Sequence, residues 1–435
     1  MTGSTTTERA ARRPQPATAR HWLVALGATL LVTVGGATFL SFTFVNPGIA
    51  ATLDVPLSSV MIYNSLIAIG GLPAMIVLAP WLLGRVGARV ALVIYAGWQG
   101  AMLLGLSLST SLPLLYLFGL GLGVSFGTGT QMMGSYLITT WFVARRGAVL
   151  GSVMAISGFG GIAVGLGMPP LLGAVGWQGA FRLLAALSVA VMVVTGVFLI
   201  RTSPADVNLL PVGETRRDHD DTGDVPVPGV MLRRALRSPQ LWVLALGVAL
   251  YQGVQAVQQN LTSVYVDGGV TQVEAGTLIS VLSASLVLTT LAVGAVNDRY
   301  GTPAAVVLAC ACQATAMLAL WLVSGYGALA AATAVMAFGS ALPTVLLAII
   351  VMYTFGPADY AAILGVVMSF IPFGMAIGTP LWALSKDLTG SYGTALLVAA
   401  VVTVVAAVLL VWVLRSAPRL RASVDREALT AAPLG

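Results

Sequence analysis

The feature that most constrains this chain is a succession of long apolar segments with short polar breaks between them. Apolar residues make up 58% of the 435 residues, and charged residues only 8%. A soluble domain carries about 25% charged residues, whereas an α-helix needs about 20 consecutive apolar residues to cross a bilayer. The sequence therefore predicts an all-α membrane protein with twelve transmembrane helices. The predicted helices are 21–50, 57–83, 88–109, 112–142, 147–173, 178–200, 238–265, 272–297, 303–324, 327–355, 359–385 and 391–415.

Residues that build metal centres and catalytic sites are scarce. The two histidines, His21 and His219, lie outside the apolar segments. Cys310 and Cys312 stand in one predicted helix at a spacing that does not place them face to face. The pI of about 9.6 comes from arginines between the apolar segments, and no basic stripe with interleaved aromatic residues accompanies it. We therefore expect no enzymatic activity, no metal or other cofactor, and no nucleic-acid partner.

The basic residues are unevenly divided between the two sides of the membrane. Of the 21 lysines and arginines, all except Arg182 and Lys386 fall in the terminal tails or in the breaks after the second, fourth, sixth and eighth predicted helices. Loops rich in lysine and arginine stay in the cytoplasm. The pattern predicts a multi-pass protein of the inner (cytoplasmic) membrane, with both termini and the central linker in the cytoplasm.

The two halves of the sequence are related by a constant offset of 214 positions. At this offset Arg85 matches Arg299, Gly87 matches Gly301, Gln99 matches Gln313, Leu150 matches Leu364, and Met154 matches Met368. Parallel repeats of six helices place a substrate at the repeat interface, near the middle of the bilayer. The predicted divisions are a tail over 1–20, a six-helix bundle over 21–201, a linker over 202–237, a second six-helix bundle over 238–415, and a tail over 416–435.

Two of the arginine-rich breaks carry related motifs. Residues 294–301 read GAVNDRYG, and residues 84–89 read GRVGAR, with Gly84 in the place of the acidic residue. These motifs resemble the Gly-x-x-x-Asp-Arg-x-Gly signature of the major facilitator superfamily, which implies two pseudo-symmetric six-helix bundles and transport by alternating access. The resemblance implies a gating motif formed by Arg85, Gly87, Asp298, Arg299 and Gly301.

Three further segments resemble the monocarboxylate and oxalate/formate transporter branch of that superfamily. They are residues 140–151 (TWFVARRGAVLG), 176–182 (GWQGAFR) and 387–392 (DLTGSY). This resemblance implies a small carboxylate as substrate. No charged residue lies near the midpoint of a predicted helix, and buried charges in membrane helices usually mark ion or proton pathways. The charge-free interior therefore favours a monoanionic or neutral substrate, and symport would occur through a protonated acid.

Uncharged polar residues cluster on the helices that are expected to line the cavity of this fold, the first, fourth, seventh and tenth. Gln252, Gln255 and Gln259 share one face of the seventh predicted helix. Polar residues can equally hold helices together, and aromatic residues can serve in packing alone. The predicted hydrogen-bond partners of the substrate are Gln131, Gln255 and Gln259, and the predicted cavity walls are Phe42, Tyr251 and Phe370.

These observations favour a secondary transporter that moves a small organic acid, a monocarboxylate, with or without symport of a proton. We expect a monomer whose partners are a small organic anion, protons and the lipid bilayer. An exporter of drugs or of a secondary metabolite on the same fold is the alternative. A membrane sensor is a third hypothesis, but the linker and tails are short for a signalling domain.

Overall fold

The computed structural model describes residues 16–143, 146–207, 209–213 and 229–431, and its described membrane segments are all helical. Within these residues, nine helices are long and apolar enough to cross a membrane. Two of these nine helices are interrupted by a glycine, at Gly87 and at Gly176, and are treated below as two helices each. A further span, over 326–355, is split into shorter helical pieces. The helices are α1 (Ala19–Leu53), α2 (57–86), α3 (88–107), α4 (Leu112–Trp141), α5 (146–175), α6 (177–199), α7 (239–267), α8 (Gln272–Tyr300), α9 (Thr302–Leu322), α10 (326–355), α11 (360–389) and α12 (Gly393–Ala431).

The breaks occur at glycines because other residues rarely adopt the backbone angles found there. Gly87 separates α2 from α3 with φ 73° and ψ 167°, and Gly301 separates α8 from α9 with φ 83° and ψ 164°. Only glycine populates this region without steric cost. Gly176 and Gly390 also have positive φ angles and stand at the same offset in the sequence. The helical architecture and the internal repeat that the sequence predicts are thus confirmed.

A second feature repeats between the halves. α4 contains a π-helical segment over Phe126–Met132, and α10 contains one over Leu342–Leu346. These two segments overlap when the sequence is shifted by the same offset. π-helical turns inside α-helices loosen the backbone hydrogen bonding locally and are frequent at functional sites.

The chain divides into two compact units, and their bounds cut across several helices. The first unit contains Met1–Phe39, Gly70–Gly161 and Ala174–Val225, and the second contains Leu40–Ile69, Ile162–Gly173 and Pro226–Gly435. The second unit therefore includes one end of α1, most of the first half of α2 and one end of α5. The predicted division into two bundles, over 21–201 and 238–415, stays a prediction.

Each unit has its own apolar core. In the first unit, Tyr95, Trp141 and Phe142 are buried among aliphatic side chains of α1, α3 and α4. In the second unit, Tyr251 and Phe355 are buried among side chains of α7, α9, α10 and α12. Many large apolar side chains lie on the opposite, outward faces of these helices. Such faces are expected of helices that are surrounded by lipid.

The predicted linker over 202–237 is described in part. It contains a 3₁₀ turn over Pro204–Val207 and a short helix over Leu232–Ala235. Val212 forms a parallel β-bridge with Phe142 at the end of α4. Residues 214–228 lie outside the described residues, as do 1–15, 144–145, 208 and 432–435. The predicted tail over 416–435 continues α12 as a helix as far as Ala431.

The turn between α8 and α9 generates a stability prediction. We expect Gly301→Ala to destabilise the protein by about 1–3 kcal/mol, because a Cβ atom is strained at φ 83° and ψ 164°. Gly294→Ala is the matched control: Gly294 lies inside α8, where a Cβ atom would meet open space, and alanine there favours the helix. Thermal unfolding of both purified variants measures the difference. Equal melting temperatures for the two variants would contradict the assignment of strain to Gly301.

Candidate substrate site

The seventh membrane helix is interrupted in the middle of its polar stretch. α7 is an α-helix over Pro239–Gln255, a 3₁₀-helix over Ala256–Gln259, and an α-helix again over Leu261–Asp267. Asn260, with φ −114° and ψ 1°, is the junction. Non-helical backbone at membrane depth is tolerated where it is buried in protein or lines a cavity. The interruption therefore marks a place where α7 does not face lipid.

Several buried amide groups at this interruption have no hydrogen-bond partner among the described residues. Both amide atoms of Gln259 are unpartnered, and so are the side-chain oxygens of Gln252, Gln255 and Asn260. All four residues are at most 5% exposed. A buried polar group without a partner costs about 1–3 kcal/mol. A polar molecule that bonds to these amides would recover that free energy.

The part of the chain that the structure describes has no buried Asp, Glu, Lys or Arg. Its buried polar residues are serine, threonine, asparagine, glutamine and a single histidine, His21. His21 lies at the start of α1, where its Nε2 atom is 3.1 Å from the carbonyl oxygen of Leu210. The site around α7 therefore offers amides and hydroxyls, and no fixed charge, to a ligand.

α11 holds the interrupted helix in place through backbone contacts. The indole N–H of Trp382 donates to the carbonyl oxygen of Gly253 at 3.1 Å, and the side chain of Asn260 donates to the carbonyl oxygen of Thr379 at 3.4 Å. A Cβ atom at Gly378 would lie 2.4 Å from the Gly253 oxygen. The two helices pack too closely there for any side chain. The backbone that carries the unpartnered amides is therefore held by close packing and hydrogen bonds between α7 and α11.

Within the second unit, α1 also contacts the interrupted helix. The backbone N–H of Thr262 donates to the hydroxyl of Thr43 at 3.1 Å, and the two hydroxyls are 3.3 Å apart. Phe42, the neighbour of Thr43, is fully buried and packs edge-on against Tyr63 of α2 with ring centroids 5.9 Å apart. The hydroxyl of Tyr63 donates to Asn46 at 2.7 Å. The predicted residue Phe42 therefore belongs to a packed group directly beside the contact between α1 and α7.

The other predicted site residues have different surroundings. The hydroxyl of Tyr251 donates to the carbonyl oxygen of Gly339 in α10 at 2.8 Å. Phe370 packs against the rings of Trp242 and Phe373. Gln131 lies in the π-helical segment of α4, and its side chain is outside the described residues. Of the predicted set, Gln255 and Gln259 both lie at the interruption of α7, and the binding role of every member stays a prediction.

Two features of the site at the interruption of α7 involve residues that were not among the predicted site residues. Asn260 adds an unpartnered oxygen at the junction of α7, and the contact between Thr43 and Thr262 links α1 to the same turn. Asn260 ends the run of polar residues in the seventh predicted helix, so the sequence did contain a signal for it. The threonine pair joins positions 219 residues apart, and no local pattern indicates such a contact.

The ends of the helices on the arginine-poor side of the second unit are joined by a set of contacts that we call the seam. The N–H of Ser58, at the start of α2, donates to the carboxylate of Asp387 in α11 at 2.9 Å. Ser65 of α2 donates to the carbonyl oxygen of Ala376 at 2.5 Å, and Ser280 of α8 donates to that of Ile162 at 3.1 Å. The seam therefore connects first-half segments of the sequence to second-half helices.

The seam also contains a direct contact between glycines. A Cβ atom on Gly165 of α5 would lie 2.4 Å from the carbonyl oxygen of Gly276 in α8, and a Cβ atom on Gly276 would lie 2.3 Å from the Gly165 oxygen. Beside it, Lys386 and Asp267 form an ion pair, and Asp267 also accepts the N–H of Tyr392 at 3.3 Å. Small residues allow membrane helices to approach this closely.

The predicted gating motif forms two tight turns, one in each unit. The guanidinium of Arg85 lies over the ring of Trp81 at 4.4 Å, and that of Arg299 lies over Tyr300 at 5.6 Å. Asp298 accepts a hydrogen bond from its neighbour Asn297 at 3.3 Å. These contacts are local to each turn, and a gating role for the motif stays a prediction.

The turn between α2 and α3 is tied to the end of α6. The N–H of Ala88 donates to the hydroxyl of Thr202 at 3.0 Å. Arg89 donates to the carbonyl oxygens of Gly196 and Val197 at 3.2 Å and 2.6 Å. Both carbonyls belong to a π-helical segment at the end of α6. An arginine at a helix C-terminus pairs orphan carbonyls and complements the helix dipole, so Arg89 fixes this end of the first unit.

Comparison with known proteins assigns the family. A family model described as Major Facilitator Superfamily matches residues 26–326 and 264–434. The chain belongs to the major facilitator superfamily, a class of membrane transporters that bind small-molecule substrates. No curated protein sequence matches it significantly. The resemblance to the monocarboxylate and oxalate/formate branch stays a prediction.

Solved structures show the same fold at low sequence identity. A bacterial homologue of the human lysosomal transporter Spinster, described as inward-facing and unoccupied, has a TM-score of 0.72 at 17% identity and covers 93% of this chain and 99% of its own. The nucleoside transporter NupG has a TM-score of 0.70 at 13% identity, with 91% and 99% coverage. The xylose transporter XylE from E. coli has a TM-score of 0.68 at 13% identity, with 90% and 97% coverage.

The seam generates a prediction about conformational equilibrium. A carboxylate that caps a helix N-terminus contributes about 0.3–1 kcal/mol. We therefore expect Asp387→Asn to shift the equilibrium toward a state with an open seam, by up to about fivefold. Labelling of a cysteine introduced at Ser65 with a membrane-impermeant maleimide reports the opening, because Ser65 is buried in the closed seam.

Asp54→Asn is the control for this experiment. Asp54 is an exposed acidic residue between α1 and α2, close in sequence to Ser58. Its loss removes the same charge without removing the cap on α2. Equal labelling in the two variants would show that Asp387 does not hold the seam closed.

Proposed function

We propose that this protein is a secondary transporter that moves a small monocarboxylate, in its protonated and uncharged form, by alternating access. The observation that carries the proposal is the buried, unpartnered amide of Gln259 in a described core without buried charges. A primary amide offers an N–H donor and a carbonyl acceptor side by side, and a protonated carboxyl group offers the matching acceptor and donor. One amide can therefore hold one carboxylic acid through two hydrogen bonds.

The ionised form of the same acid fits the site less well. A carboxylate only accepts hydrogen bonds, so it would leave the side-chain oxygens of Gln255, Gln259 and Asn260 without donors. It would also bring a charge into a region that offers no cation, and an unpaired charge is expensive to bury. The site therefore favours the protonated acid. Because the acid carries the proton across the membrane itself, symport needs no titrating residue in the protein.

A neutral solute that carries hydroxyl groups is the second candidate substrate. Hydroxyls both donate and accept, so they can also satisfy the amides at the interruption of α7. The names of two structural neighbours refer to a nucleoside transporter and a xylose transporter. Export of larger apolar compounds is a further alternative, and it predicts transport of hydrophobic amines.

We also propose the orientation and the assembly. Arg85, Arg89 and Arg299 stand at the turns after the second and eighth helices, and loops rich in arginine stay in the cytoplasm. The seam then faces away from the cytoplasm, in a protein of the inner membrane. A monomer is sufficient, because the unpartnered amides lie within one chain.

The dependence of transport on membrane potential and on pH distinguishes the candidate substrates. In proteoliposomes, uptake of a labelled monocarboxylate should be electroneutral, so an imposed membrane potential should leave the initial rate unchanged. Uptake should rise as the external pH falls, because the protonated fraction of an acid increases about tenfold per pH unit above its pKa. Counterflow with monocarboxylates, pentoses, nucleosides and hydrophobic amines completes the comparison. Transport of sugars or nucleosides without transport of any acid would favour the second candidate, and transport of amines alone would favour the exporter.

Loss of the Gln259 amide should weaken substrate binding directly. Gln259→Leu should raise the KM of the transported acid by about tenfold or more, since two hydrogen bonds to the substrate are lost and 1.4 kcal/mol corresponds to a tenfold change in affinity. Gln313→Leu is the matched control, because Gln313 also carries a fully buried amide with both atoms unpartnered, but lies in α9 against Gly339. An equal change of KM in both variants would indicate a general effect of removing buried amides and would contradict a substrate contact at Gln259.

A further inference from the structure

The outward face of the second unit carries a groove between α9 and α12. Its volume is about 490 Å³. The floor contains the small residues Ala311 and Ala314 of α9 and Ala407 of α12, and the rim contains valines that are more than half exposed, among them Val404 and Val408. The groove opens on a face of the helices that carries exposed apolar side chains. Its natural surroundings are therefore hydrocarbon, and a lipid chain is the molecule that is always present there.

One end of the groove is charged. Arg415 is the only charged residue among those that line it. Arg415 is exposed and has no hydrogen bond or ion pair within the part of the chain that the structure describes. The nearby Arg421, in contrast, donates to the carbonyl oxygens of Met352 and Tyr353. The guanidinium of Arg415 is thus available to an anion, while that of Arg421 is occupied by the end of α10.

The length of the groove matches the depth of one bilayer leaflet. From Arg415 to Val404 along α12, a rise of 1.5 Å per residue gives about 16 Å. Half of a hydrocarbon core of about 30 Å is about 15 Å. Arg415 also follows Trp412, which is 44% exposed, and tryptophan is enriched at the level of the lipid headgroups. The charged end therefore lies where a headgroup lies, and the apolar end reaches the middle of the membrane.

We propose that this groove is a binding site for one anionic glycerophospholipid. One acyl chain lies along Ala311, Ala314 and Ala407, and the phosphate pairs with Arg415. Basic residues at the cytoplasmic ends of grooves between membrane helices bind acidic lipid headgroups in this way. The occupant is an intact lipid rather than a free anion, because Arg415 alone is too exposed to hold a small anion, and the apolar groove contributes through the chain.

The site is independent of the proposed substrate site, and its test does not require transport. Native mass spectrometry of the purified protein, titrated with phosphatidylglycerol and phosphatidylethanolamine, counts bound lipids. We expect one phosphatidylglycerol to be retained in preference to phosphatidylethanolamine. Arg415→Gln should lower that preference at least fivefold, and Ala314→Leu combined with Ala407→Leu should reduce retention of both lipids by filling the groove.

Two control variants make the outcome decisive. Arg419→Gln removes an exposed arginine one turn further along α12, outside the groove, and Ala331→Leu enlarges an exposed alanine of α10. Neither should change lipid retention. Equal losses in Arg415→Gln and Arg419→Gln, or full retention in the groove-filling variant, would show that the lipids bind nonspecifically around the protein. Dimers that disappear when the groove is filled would show that its occupant is a second copy of the chain. Either result would overturn the proposal.

Discussion

Every polar backbone group inside a bilayer must be paired within the protein, and this requirement governs the rest of the structure. Regular helices satisfy it, so each departure from a regular helix needs an explicit partner. Where α7 is interrupted, the indole of Trp382 donates to the carbonyl oxygen of Gly253, and the backbone N–H of Asn260 donates to that of Val257. Where the end of α6 becomes π-helical, Arg89 pairs with two of its carbonyl oxygens. These backbone groups are paired, whereas the side-chain oxygens of Gln255 and Gln259 are not.

That contrast explains why the interruption of α7 is a candidate site rather than a weak point. A paired backbone is rigid, and a rigid support keeps unpaired side chains in fixed positions. A ligand that pairs with pre-positioned groups loses less free energy to ordering them. The absence of buried acidic or basic residues from the described core limits what such a ligand can be. Selectivity then depends on the number and direction of hydrogen bonds and on the shape of the apolar surroundings.

Much of this architecture could be predicted from the sequence. Hydropathy locates the helices to within a few residues, apart from α12, which continues to Ala431. The offset of 214 positions correctly pairs Gly87 with Gly301, because both turns need a backbone that only glycine adopts easily. The clustering of glutamines on one face of α7 correctly indicates that this face is buried. These features are local, and local sequence determines them.

The remaining features depend on contacts between distant parts of the chain. Nothing near Tyr251 indicates that its hydroxyl bonds to Gly339, 88 residues away. The same holds for Thr43 with Thr262 and for Ser58 with Asp387. The sequence also does not show that 40–69 and 162–173 pack with the second half of the chain. Such contacts are set by tertiary packing, and no periodicity of the sequence encodes them.

The contact between Gly165 and Gly276 has a kinetic consequence. Interlocked side chains must change rotamers before two helices can separate, and each change adds to the activation barrier. Two glycines have no side chains to disengage, so at this contact only the hydrogen bond from Ser280 to the Ile162 oxygen ties α5 to α8 through a side chain. Between the two glycines themselves, the backbone loses mainly dispersion contacts on separation, each worth about 0.1–0.2 kcal/mol. A contact built in this way can be close-packed and still separate quickly.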